Sequence, residues 1–204
     1  MTAGFKARGI IQLFNKALFR IMNPSTIPQS KIARFFFSDL KTAWFWLILR
    51  VYVGYEWLAA GLDKVVDPVN GPKWVGAEAG TAVKGFLTGA LGKADPVKFA
   101  HPDVSQGYAY FINNFAMPNA ELFSYMVAYG EVLVGAALIL GFLTGLSAFF
   151  GVFMNFNYLF AGTVSVNPEF LLLGLLLILS WRVSGWFGLD RYVLPKIFRN
   201  GMDR

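Results

Sequence analysis

The sequence predicts an all-α integral membrane protein. The expected form is a four-transmembrane-helix bundle with an N-terminal amphipathic helix and an outer helical cap between helices 1 and 2. Three observations lead there. The 204 residues are 56% hydrophobic with a mean hydropathy of +0.50, more apolar surface than a soluble domain buries. Four apolar segments, 42–62, 121–140, 144–161 and 170–187, match or approach the length of about 20 residues that crosses a bilayer. The net charge of +6 sits mostly in the two tails, as topology and anionic-lipid attraction require; no motif or aromatic interleaving points to nucleic acid.

Residues 1–40 form the first element. Ile10, Phe14, Ala17, Leu18 and Ile21 recur at helical spacing, with Lys6, Gln12, Lys16 and Arg20 largely elsewhere on the wheel. This reads as an amphipathic helix on the inner leaflet, ended by Pro24 and Pro28. It lacks the uninterrupted apolar core and small-residue cleavage site of a targeting peptide. The membrane domain is expected over 41–190, followed by a basic tail over 191–204. Lys6, Arg8, Lys16, Arg20, Lys31, Arg34 and Lys41 precede the first span, and Arg191, Lys196, Arg199 and Arg204 follow the last. The positive-inside rule therefore puts both termini in the cytoplasm, and the expected location is the plasma (inner) membrane of a prokaryote.

The first span carries Arg50, Gly54, Trp57, Gly61 and Lys64 on one stripe, at steps of four, three, four and three. Glycines on such a stripe let a second helix approach closely. Glu56 and Asp63 form a second polar stripe. The outer insertion, 65–120, holds two apolar faces. One comprises Val83, Phe86, Leu87, Ala90 and Leu91, the other Val104, Tyr108, Phe111 and Phe115, with breaks at Gly71-Pro72, Asp95-Pro96, His101-Pro102 and Met117-Pro118. Two short capping helices follow from that pattern. Residues 141–145 form a tight hairpin between the second and third spans. The fourth span is nearly pure leucine, expected to face lipid, and closes at Trp181-Arg182 as an interfacial anchor.

Charges inside spans mark candidate function. Arg50 lies nine residues past Lys41, about 14 Å along a helix, and Glu131 ten past Glu121, about 15 Å. Both are expected near the midplane, where an ionised group needs a partner or a polar cavity. An Arg50–Glu131 pair is either a structural ion pair fixing helix register or part of a site that binds an anion or passes protons. Glu56 is either interfacial or a proton-handling carboxylate. Trp57 beside Arg50 and Lys64 offers a flat ring and cations to an anion or a quinone head group. His101 is either a surface residue or a hydrogen-bond donor to a quinone carbonyl. Asn155 and Asn157 face different directions, and one is expected to bond across helices. The absence of Cys and the single His exclude disulfides, thiolate-held metals, iron–sulfur clusters, c-type haem and bis-His haem in one chain. No metal or haem is expected to be bound by this chain alone.

Arg50-x3-Gly54-x2-Trp57-x3-Gly61-x2-Lys64, then Trp74, then Gly130-Glu131-x3-Gly135-x2-Leu138-x2-Gly141-x2-Thr144, resembles the DoxX/DoxD family of small membrane proteins. The outer insertion and its Pro118-Asn119-Ala120 segment resemble the DoxD branch. The resemblance implies a membrane subunit of a thiosulfate:quinone oxidoreductase, in which two thiosulfates become tetrathionate and two electrons reduce a membrane quinone. Arg50, Glu131 and Glu56 are then the expected catalytic residues. Lys64, Trp57, Trp74, His101 and Asn155 are expected to bind substrate or quinone, with Lys73 or Lys84 as further cations for thiosulfate. The implied partners are membrane lipid, quinone and a second, DoxA-like subunit, which nothing in this chain matches. Two other readings fit the residues: a non-catalytic subunit of a larger respiratory or photosynthetic complex, and a small anion transporter. The absence of an internal repeat counts against the last.

Overall fold

The computed structural model describes residues 30–199, and among them every regular element is helical. The expected amphipathic helix around Ile10 to Ile21 and the final residues of the basic tail lie outside the described residues. The chain divides into two units after Phe35. The first contributes the start of helix α1 (Lys31–Ser38), where Ser30 Oγ accepts from Ala33 N at 3.1 Å. Everything below belongs to the second unit.

That unit begins with a 3-10 turn, Leu40–Thr42, whose Asp39 carboxylate accepts from Lys41 N at 3.0 Å. Thr42 Oγ1 and Trp46 Nε1 both donate to Phe36 O, at 3.1 and 2.8 Å, tying the turn and the helix that follows back to Phe36. Helix α2 spans Ala43–Val66. The cap consists of α3 (Gly71–Val75), α4 (Thr81–Gly92), α5 (Gln106–Phe111) and a π-helical turn, Ile112–Ala116. Then come α6 (Ala120–Leu140), α7 (Thr144–Phe160), α8 (Asn167–Leu179), α9 (Trp181–Ser184) and α10 (Asp190–Arg199).

Helices α2 and α6 form the centre of the bundle. Helix α2 buries Ala43, Trp46, Arg50, Val53, Gly54, Trp57 and Gly61; α6 buries Ala120, Ser124, Ala128, Glu131, Val134, Gly135 and Leu138. Both sets follow a helical period, so each helix turns one stripe inward. A Cβ on Gly61 would stand 2.6 Å from Val132 N, and one on Gly54 3.0 Å from Gly135 O. The two backbones touch where the glycines lie. Helix α7 packs on α8, with Gly174 lying against Val152 and Ala148, while Gly151 turns to Trp57 and Val134.

The cap has its own core. Val83, Leu87, Ala90 and Ala94 from α4 and the segment after it meet Val104, Ala109, Ile112 and Ala116 over Ala120 and Ala161. Phe86 and Phe115, expected on the packed faces, are exposed. Their places are taken by small residues that let the short helices lie close. Ser124 Oγ donates to Trp74 O at 2.7 Å, fastening α3 to α6. Tyr108 OH donates to Asn157 O at 3.0 Å. Burial raises that phenol to about 12, so it stays a donor at physiological pH.

Among the described residues one helix, α6, is long and apolar enough to cross a membrane by length and composition, with 21 residues at a hydropathy of 1.7. Helix α2 is longer but carries Arg50, Glu56, Asp63 and Lys64. The expected fourth span differs most. Instead of running to 187, α8 is a 13-residue apolar helix that ends at Ser180. Ser180 N still donates to Leu176 O at 3.0 Å, and a separate turn, α9, carries the chain on to Ser184.

Candidate functional site

Two polar centres lie along the α2–α6 seam, and they are separate. Their positions on α2 are 14 residues apart, about 21 Å of helix.

The first centre holds Arg50, which is fully buried. Its guanidinium donates to Leu138 O in a short hydrogen bond, to Ile139 O at 3.1 Å and to Phe187 O at 3.2 Å. Leu138 and Ile139 lie in the last turn of α6, whose carbonyls lack the usual helical donors four residues on, so Arg50 helps to close the C-terminus of that helix and interacts favourably with its dipole. Asp190 completes the centre. Its carboxylate accepts from Leu143 N at 2.6 Å and Thr144 N at 2.8 Å, capping the start of α7. Asp190 N donates to Gly141 O at 2.8 Å and Leu189 N to Leu140 O at 3.1 Å. The hairpin needs these ties, because Gly141 and Leu143 both take left-handed backbone angles (φ 65° and 46°). The expected Arg50–Glu131 pair is therefore absent. Arg50 belongs to the hairpin end of α6 and lines no cavity with Glu131. Main-chain carbonyls, not the Glu131 carboxylate, receive its two Nη groups, and its Nε has no hydrogen-bond partner.

The second centre holds Glu131, 2% exposed. Oε2 accepts from Lys64 Nζ at 2.7 Å, and Oε1 from Tyr158 OH at 2.7 Å. Lys64 also donates to Ala60 O at 3.2 Å and stands 5.2 Å over the Trp74 ring. Helical side chains lean toward their N-terminus, which carries Nζ back along α2 to reach the carboxylate. The Lys64 side chain keeps 21% of its surface exposed, against 3% for Glu131. The hydrogen-bonded chain thus runs from a partly wet ammonium to a buried phenol.

Beside this chain lies a cavity of about 150 Å³, lined by Glu56, Trp57, Ala60, Glu131, Asn155, Tyr158, Val166, Asn167 and Phe170. Asn155 is 2% exposed, and its Nδ2 has no hydrogen-bond partner. A buried donor left unmade costs about 1–3 kcal/mol, so the amide suits an acceptor entering the cavity. Of the residues expected in a site, the structure brings Glu56, Trp57, Glu131 and Asn155 to this cavity. Lys64 sits behind Glu131 with Trp74 against it. Three others stand apart. Arg50 is at the hairpin, His101 is exposed in the loop between α4 and α5, and Lys84 is exposed on α4. Lys73, on α3, does not line the cavity either. Tyr158 was missed. Its signal was available, since it falls three residues after Asn155 and so shares its helix face. Asp190 was missed too, and no spacing in the chain announces its return to the 141–144 hairpin.

The arrangement can hold a neutral polar group more readily than an anion. Two carboxylates, Glu56 and Glu131, line the cavity, and the nearest ammonium, Lys64, is already paired. Among the described residues no group of three or more His, Asp or Glu is placed to hold a metal ion.

The family model described as DoxX matches residues 45–164, which takes in α2, the cap, α6 and α7. No curated protein and no solved structure matches the chain. The match covers more than half of the sequence, with both the α2–α6 seam and the Glu131 cavity inside it or at its edge, and on that ground the chain belongs to the DoxX family of membrane proteins.

Proposed function

We propose that the chain is the quinone-binding membrane subunit of a thiosulfate:quinone oxidoreductase of the DoxD type. The observation that carries this reading is the cavity itself. It combines an unpartnered amide donor, Asn155, with a hydrogen-bonded Glu131–Tyr158 pair and apolar or aromatic walls. A quinone head group presents carbonyl acceptors on a flat apolar ring, which is what those groups recognise. Reduction of quinone takes two electrons and two protons. The Lys64–Glu131–Tyr158 chain is suited to delivering protons from its partly exposed end.

Thiosulfate is a dianion, and this carboxylate-lined cavity disfavours it. The two electrons released when two thiosulfates join as tetrathionate therefore originate away from this cavity, on a second, DoxA-like subunit. Both termini are assigned to the cytoplasm by the basic tails, with four spans formed by α2, α6, α7 and α8 together with α9. The location is the prokaryotic inner membrane. The same excess of carboxylates speaks against an anion transporter. A non-catalytic subunit is the second reading. It is favoured by Trp44, Ile48 and Tyr55, which form an exposed apolar stripe on α2 available to a larger complex.

The test is quinone reduction in membranes holding the chain and its partners, with thiosulfate, sulfide and sulfite compared side by side. Thiosulfate should drive reduction, and Glu131→Gln should slow it roughly a hundredfold, the scale of a lost proton-transfer group. Full activity in that variant removes the role of Glu131. Donor-independent rates remove the thiosulfate assignment.

A further inference from the structure

A second cavity, of about 250 Å³, lies at the opposite end of the bundle from Lys64. It is lined by Trp181, Arg182, Trp186, Asp190, Arg191 and Leu194, with Gly185 and Pro195 completing the wall. Nothing in the proposed reaction uses it. The Arg182 guanidinium stands 5.0 Å from the Trp181 ring and that of Arg191 5.1 Å from the Trp186 ring. Each cation is thus held against an aromatic face rather than a carboxylate, and neither makes an ion pair among the described residues. A guanidinium stacked this way still presents its planar fork of donors to an oxyanion. Asp190 also lines the cavity, but both its oxygens are taken by Leu143 N and Thr144 N.

We infer that this cavity is a binding site for the phosphodiester head group of an anionic phospholipid. Arg182 and Arg191 present two guanidinium groups to the cavity, and the one carboxylate that lines it, Asp190, also interacts with the charge of Arg50, so the cavity attracts an anion. The tryptophan faces with Leu194 and Pro195 supply an apolar wall for the glycerol and the first acyl carbons, which a free phosphate would leave uncovered. Tryptophan and arginine together occupy the zone where head groups meet hydrocarbon.

The test uses the full chain in phosphatidylcholine vesicles carrying roughly a fifth phosphatidylglycerol. After mild detergent extraction, lipids retained on the protein are counted by native mass spectrometry. The wild type should retain phosphatidylglycerol over phosphatidylcholine by about tenfold beyond the bulk ratio, the effect of one good charged contact. The double variant Arg182→Gln, Arg191→Gln should lose that preference. Both arginines are exposed, so the fold should survive, as an unchanged melting temperature would verify. Lys196→Gln, on α10 but outside the cavity, should keep the preference. Equal loss in Lys196→Gln would mean diffuse tail charge and overturn the site. Displacement of the lipid by millimolar inorganic phosphate would mean a free-anion site and overturn the lipid assignment. Retention in the double variant would overturn both.

Discussion

The α2–α6 seam can be tested by adding a single methyl group. A Cβ on Gly135 would meet Leu58 N, and would stand 2.6 Å from Leu58 Cα and 2.7 Å from Gly54 O. All of these are backbone atoms, so no rotamer change relieves the clash. Restoring ordinary contact near 3.4 Å takes a separation of at least about 0.8 Å. Gly135 is one turn along α6 from Glu131, so much of that displacement reaches the Lys64–Glu131 pair. Its 2.7 Å hydrogen bond would stretch toward about 3.5 Å, the limit of a hydrogen bond. Overpacking costs typically about 1–3 kcal/mol, and the upper part of that range applies when only backbone can move. For a chain of this size, Gly135→Ala should lower the melting temperature in detergent by roughly 4–12 °C. It should also reduce quinone-reductase activity, because the site is distorted with it. Gly130→Ala is the control. Its Cβ would meet only Met154 Sδ, at 3.4 Å, the end of a flexible side chain, so it should be neutral or stabilising by up to about 1 kcal/mol. If Gly135→Ala melts with the wild type while folded, the close approach is not what holds these helices together.

Other outcomes follow from the same geometry. Gly85→Ala and Gly89→Ala on α4 find nothing within 4 Å, so each should stabilise the cap by about 0.5–1 kcal/mol, read as a raised melting temperature. Asp190→Asn leaves an amide N–H₂ facing one of the two backbone N–H donors that the carboxylate now satisfies. It should cost about 1–3 kcal/mol, and faster proteolysis at the 141–144 hairpin would accompany it.

The seam was largely legible in the sequence. Arg50, Gly54, Trp57, Gly61 and Lys64 repeat at helical spacing, and only a partner helix in close contact explains glycines there. The hydrophobic run of α6 and its glycines supply that partner. Other features were written in atoms the sequence does not advertise. Arg50 answers to main-chain carbonyls, which every residue carries, so no spacing signals them. The Lys64–Glu131 pair depends on the direction a lysine leans, which brings together two charges that helix depth alone would separate. In the cap, Val83, Leu87, Ala90 and Val104 of the expected faces are buried, but Phe86 and Phe115 are exposed, and Ala94, Ala109, Ile112 and Ala116 complete the core. The leucine run of the fourth span is uniformly apolar and hides the helix break at Ser180.

The central claim is that the cavity beside Glu131 receives a quinone carbonyl at Asn155, and Asn155→Leu tests it most directly. The substitution removes the buried amide that lacks a partner. The protein should therefore become more stable, by about 1–3 kcal/mol, while its affinity for a short-chain quinone in detergent falls roughly tenfold, one hydrogen bond's worth. Quinone affinity equal to wild type in a folded Asn155→Leu protein would contradict the account.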